Sequence, residues 1–208
     1  MKMIERIEEK EMKISIGSKA LAFPTPVWVV ATYDRAGKPN VMTAAWGGIC
    51  CSSPPAVGVS LRKATYTYGN ISERRAFTIN VLTEDLVREA DYFGLASGRS
   101  EDKLSVVGFS PRKAELVDAP YLDEASLVLE CNLLTMVEIG LHTQFIGEIM
   151  DVKAEESVMG ESGLPEMERV KPMVFAPEIR KYFGIGRSLG PAFSVGKEMG
   201  RTREPGSQ

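Results

Sequence analysis

The segment VWVVATYDRAGKPNVMTAAW, residues 27–46, constrains the fold more than any other stretch of the chain. β-Branched and aromatic residues crowd VWVVATY, which suits a pleated, half-buried strand. DRAGKPN then supplies turn chemistry, with Gly37 expected at a positive φ. NVMTAAW resumes as the returning strand. The segment reads as a β-hairpin.

Further strands follow the same logic. SLVLECNLLTMVEI and HTQFIGEIMDV form a second hairpin across Gly140. PPAVGVSL is a short strand behind Pro54 and Pro55. In FTINVL, apolar Phe77, Ile79 and Val81 alternate with Thr78 and Asn80, the period of a strand with one wet face. Helices are fewer. Thr65 is placed to cap a short helix running through Glu73. Thr83 is placed to cap EDLVREADYFGLA, whose acids fall in the first turn. Leu86, Ala90 and Phe93 give that helix one apolar face. Antiparallel strands with helices at intervals predict a mainly β, α+β fold: a β-barrel carrying α-helices, without repeated βαβ units.

A length of 208 residues suits one sizeable domain. We bound it at residues 13–197, between a charged arm at 1–12 and a polar tail at 198–208. The net charge of −3 argues against a nucleic-acid binder. No apolar run reaches membrane-spanning length, and the N-terminus lacks the apolar core of a signal peptide. A cytoplasmic location is therefore expected, with no membrane partner. Cys50, Cys51 and Cys131 make a poor disulfide framework and are expected to be reduced and mostly buried. They and one histidine, His142, offer no metal-ligand spacing, so no metal is expected.

Two stretches carry chemistry. SLRKATYTYGN (residues 60–70) sets Arg62 and Lys63 beside the hydroxyls of Thr65 and Thr67, where a strand gives way to a helix. Positive charge, hydroxyls and free N–H groups at a helix start suit a phosphate. The same stretch suits a solvated turn, and no glycine-rich phosphate loop is present. In NVMTAAWGGICCSSPP, small Thr43, Ala44 and Ala45 would let a flat ring approach the backbone, with Trp46 stacking or walling the site. It also suits a barrel strand with a bulge at the glycines. His142, at the start of HTQFIGEI, could exchange a proton at a pocket rim or serve structure alone. SGRSEDKL (residues 97–104) reads as a polar loop. Residue by residue, the chain reads as an α+β domain with a candidate anion pocket.

From residue 14 to residue 197 the chain resembles the flavin reductase-like family, and within it the flavoredoxin group. PTPVWVV opens the barrel, GKPNVMTAAW is similar to the strand whose backbone reads the flavin ring, and SLRKATYT is similar to the phosphate and ribityl loop. FTINVL, SGRSEDKL, GLHTQFIGEI and YFGIGRSLGPAFSVGK follow in family order. Leu104 stands where the family has an aromatic, and Leu141 where an acid often precedes the histidine. The resemblance implies an FMN-binding split β-barrel of antiparallel, Greek-key strands, working as a homodimer. It implies FMN contacts at Thr43, Ala44, Ala45, Trp46, Cys50, Ser60, Leu61, Arg62, Lys63, Thr65, Tyr66 and Thr67, and a catalytic role for His142. Three functions stay open: an NAD(P)H-dependent flavin oxidoreductase, an electron carrier serving redox protein partners, and an FMN-binding module without turnover.

Overall fold

The computed structural model describes residues 12–200, so nearly all of the expected arm and most of the tail lie outside the described residues. The first strands are β1 (Thr25–Pro26), β2 (Trp28–Tyr33), β3 (Pro39–Ala44), β4 (Gly47–Ser52) and β5 (Pro55–Arg62). Next come α1 (Tyr66–Arg74), β6 (Ala76–Val81), α2 (Val87–Leu95), α3 (Lys103–Val107), β7 (Pro111–Lys113) and β8 (Pro120–Leu122). The long strands β9 (Leu127–Ile139) and β10 (His142–Ala154) precede α4 (Met167–Val170), β11 (Val174–Ala176) and β12 (Lys181–Phe183).

Seven strands form one sheet in the order β3-β2-β6-β9-β10-β5-β4, with every neighbouring pair antiparallel. Its two edge strands, β3 and β4, are joined by Ala45 and Trp46 alone. Two residues cannot span a flat seven-stranded sheet, so the sheet curls until its edges meet. Ser60 N–H donates to the Trp46 carbonyl at 2.8 Å where they approach. The result is a barrel with a split beside β3. The first hairpin turns through Gly37 at φ +82°, as its sequence predicts. Asp34 holds that turn, its Oδ1 accepting from the Ala36 and Lys38 N–H groups at 2.8 Å each.

Two cores follow from the curl. Val30, Val57, Val59, Leu61, Phe77 and Phe145 fill the barrel, with Ile71 of α1 among them. Val29, Val41, Ala90, Phe93 and Leu104 pack on the outside of the sheet, beneath α2 and α3. The apolar face expected of α2 is thus present, with Leu86 at its half-buried margin.

Four expectations need correction. β6 is buried on both faces, because β8 covers the side that carries Thr78 and Asn80. The Thr78 hydroxyl donates to the Pro120 carbonyl, and Asn80 Oδ1 accepts from Leu122 N–H. Thr83 stands at the expected N-cap, but its side chain makes no capping bond and a 3-10 turn, Glu84–Leu86, leads into α2. NVMTAAW ends as a strand at Ala44, and the following glycines open the separate strand β4. The thiols are not mostly buried: Cys131 is, whereas Cys50 and Cys51 are exposed on β4, an edge strand without a covering layer.

Candidate functional site

Arg62 ends β5, and four residues later α1 begins. Thr65 is the N-cap: its hydroxyl accepts from Tyr68 N–H at 3.3 Å and donates to the Arg62 carbonyl at 2.9 Å. That hydroxyl is therefore spent on the helix start. What α1 offers a ligand is the other N–H groups of its first turn, since Tyr68 N–H is bound to Thr65. The Thr67 hydroxyl is buried and accepts from Asn40 Nδ2 at 2.9 Å, which leaves its own hydrogen to donate. Tyr66 OH donates to Asp34 Oδ2 at 3.0 Å and so ties α1 to the first hairpin.

These residues border a cleft of about 320 Å³ along the split, between β3, the start of α1 and the end of α2. Arg62, Thr65, Tyr66 and Thr67 line one wall, and Asn40 and Met42 of β3 the floor. Gly94, Ser97, Gly98 and Lys103 face them. The Arg62 guanidinium makes no ion pair or hydrogen bond among the described residues. Lys63 is not brought into the cleft: its Nζ pairs with Glu138 Oε1 at 2.8 Å on the exposed surface.

SGRSEDKL is more than a solvated connection. Gly98 is packed so closely that a Cβ there would overlap the Asn40 amide and the Tyr66 ring. The Arg99 guanidinium donates to the Ala64 carbonyl at 2.6 Å and lies 5.6 Å over the Tyr66 ring. Lys103 is buried, and its Nζ donates to the Phe93 and Ala96 carbonyls at 3.0 and 3.1 Å. Burial pushes this ammonium down to about 8, with Glu101 acting in the opposite direction. Asn40 and Met42 lie within GKPNVMTAAW and Lys103 within SGRSEDKL, yet neither they nor Gly94 are among the expected contacts; a lysine four residues past the SGR turn is the available signal for Lys103.

A second group shares one exposed sheet face. His142 opens β10 directly opposite Arg62 of β5, and its ring meets Trp46 edge-on at 6.4 Å. Ser60 lies opposite Gln144 on the same face, and Cys50 Sγ reaches over Gly58 beside the Gln144 amide. Arg62 thus belongs to both groups. The side chains of Ala44 and Leu61 turn into the barrel core, leaving their backbone as the part able to face a ligand. Thr43 and Ala45 line an adjoining cleft of about 230 Å³, which shares Gly94 with the first. No cluster of metal-ligating side chains occurs among the described residues.

This arrangement has close counterparts among solved structures. The flavoredoxin of Desulfovibrio vulgaris (Miyazaki F) is 53% identical, with a TM-score of 0.86 over 89% of this chain and all of that one. A flavoredoxin from Methanosarcina acetivorans is 29% identical, with a TM-score of 0.85 over 91% of this chain and all of its own. A high molecular weight rubredoxin of Moorella thermoacetica is 31% identical over 73% of this chain and 60% of its own length. The chain spans about 60–65% of the length of the curated relatives it first matches. The model of the flavin reductase-like domain matches residues 20–184. By that match over most of its length, the protein belongs to the flavin reductase-like family.

Proposed function

We propose that the protein binds FMN along the split and works as an oxidoreductase that draws hydride or electrons from NAD(P)H. The observation that carries this reading is the unpartnered Arg62 guanidinium at a cleft that also holds the first turn of α1 and buried Lys103. Two cations and a set of free N–H groups match a phosphate dianion. Arg62 would take two phosphate oxygens through its fork, with Lys103 as a point charge behind. The two clefts meeting at Gly94 suit the size of an organic cofactor. Small side chains from Thr43 to Ala45 would let the ring lie against backbone, with Trp46 and His142 at its edge.

Bound there, FMN would accept a hydride and release electrons one or two at a time. His142, on the rim opposite Arg62, is placed to hold or move a proton beside the ring. Ile49, Val137, Ile139 and Leu141 are exposed near Trp46 and His142, which favours a homodimer that covers them. We place the protein in the cytoplasm, where its exposed thiols stay reduced. The 53% identity to a flavoredoxin favours a second reading, an electron carrier that exchanges electrons with a protein partner.

Anaerobic mixing of FMN-loaded protein with NADH or NADPH separates the two. Repeated bleaching of flavin absorbance supports the oxidoreductase. A tightly bound flavin that neither nucleotide reduces, but a reduced protein donor does, supports the carrier. Failure to bind FMN at all overturns both.

A further inference from the structure

A groove of about 330 Å³ runs between Pro26, Trp28, Val81, Leu127, Val170 and Pro172, and every side chain that lines it is apolar. It shares no lining residue with the cleft at Arg62 and meets the adjoining one only at buried Val27. Met167 and Ile185 line this groove and also a hollow of about 260 Å³ beside it. The hollow carries charge of both signs: Glu84, Glu168, Lys171 and Arg187.

The fold brings these charges together. α4 ends at Lys171, whose φ is +44°. Glu84 N–H donates to the Lys171 carbonyl at 2.9 Å, so the 3-10 turn ahead of α2 is fastened to the end of α4. None of the four side chains makes an ion pair or a hydrogen bond among the described residues. Arg169, two residues before Lys171, does find an acid, with Glu166 at 2.8 Å.

Charge and shape narrow the ligand. An anion alone would face Glu84 and Glu168, and a cation alone would face Lys171 and Arg187. Only a head that carries both charges complements all four. The groove beside it is left for an apolar body, since burying apolar surface is favourable and nothing polar lines the walls. Its volume lies at the lower end of small-molecule sites and suits one ring or one branched chain. We propose that groove and hollow form one binding site for a free apolar α-amino acid. Its side chain lies in the groove, its carboxylate against Lys171 and Arg187, and its ammonium against Glu84 and Glu168. The site does not rest on the FMN reading of the split.

Phenylalanine, phenylpropionate and phenethylamine test this, since they share a ring and differ in charge. Each is titrated into protein with isotope-labelled methionine methyl groups and followed by NMR. The Met167 and Met173 signals, assigned by substitution to leucine, report the groove. Phenylalanine should shift both signals and bind at least about tenfold more tightly than either analogue. Glycine, which has the same head and no apolar body, should also bind at least about tenfold more weakly. Lys171→Gln with Arg187→Gln should remove the preference over phenethylamine. Glu84→Gln with Glu168→Gln should remove the preference over phenylpropionate. A wild type that does not bind phenylalanine at tens of millimolar overturns the proposal. So does one that binds an analogue or glycine as tightly, or whose Met167 and Met173 signals stay still on binding. Either double variant that melts normally and keeps its full preference also sinks it. The same pattern is expected with FMN present or absent, so a failure to bind FMN leaves this result standing.

Discussion

Arg62→Ala is the sharpest test of the cofactor site. The guanidinium is exposed, lines the first cleft and has no ion pair or hydrogen bond among the described residues. Its removal should leave stability within about 0.5 kcal/mol, since no native contact is lost. Binding is another matter. A hydrogen bond to a charged group contributes roughly 1.5–3 kcal/mol. The cleft is open to water, so the lower half of that range applies, and FMN should bind about tenfold more weakly. Riboflavin lacks the phosphate and should bind the variant as it binds wild type. The assay is flavin titration of both proteins with both ligands, read by quenching of flavin fluorescence. Lys63→Ala is the internal control: Lys63 faces Glu138 outside the cleft, so FMN affinity should hold. Equal weakening of FMN and riboflavin by Arg62→Ala would refute the phosphate contact and assign Arg62 to the ring or the fold. No change in either ligand would return residues 60–70 to a solvated turn.

Lys103 gives a pH signature. Its ammonium sits at about 8 in the free protein, so FMN affinity should fall as pH rises through that value while riboflavin affinity stays level; a parallel fall for both flavins would remove Lys103 from the phosphate end. Asp34→Ala should cost about 2 kcal/mol in urea unfolding, because Tyr66 OH and two turn N–H groups lose their acceptor. Burial alone would raise the Asp34 carboxyl, but bonds from Lys38 N–H, Tyr66 OH and Ala36 N–H outweigh it and hold it below the usual carboxylate range. The unfolded chain thus takes up this proton first. The contribution is complete above the unfolded value of about 3.9 and is lost as pH falls through the lower folded one. The Ala variant should lack that part of the acid slope. His142→Ala should lower turnover more than FMN affinity, and unchanged kinetics would leave the histidine as the residue that opens β10.

Both hairpins were legible because their signals are local. Gly37 and Gly140 each take a positive φ where the sequence turns, and β9 and β10 are long enough for their apolar content to speak. The cap at Thr65 was legible for the same reason. Thr78 and Asn80 were not. Alternation says they face water, yet their partners at Pro120 and Leu122 lie 42 residues away, and no local period reports a covering layer so distant. β1, β11 and β12, of two or three residues each, are too short to show any period.

The site divides along the same line. Arg62, Thr65 and Thr67 are neighbours in sequence and stayed together in the fold, whereas Lys63, one residue from Arg62, did not. The end of the strand divides the two cations: Arg62 is the last residue of β5, whereas Lys63 stands in the turn that follows and pairs with Glu138 of β9. The other walls came from farther off. Lys103 reaches the cleft because α3 packs on β3 and its first residue bonds the carbonyls at the end of α2, and Gly94 lies in it because α2 packs on β3. Asp91 and Tyr182 of the adjoining cleft, 91 residues apart, meet only once β12 has packed on β11 against the end of α2. A barrel that closes through a two-residue link must leave a split where its edges pass. That split gathers the end of a strand, the start of one helix and the end of another, which is why the cations and free N–H groups collect there rather than in either core.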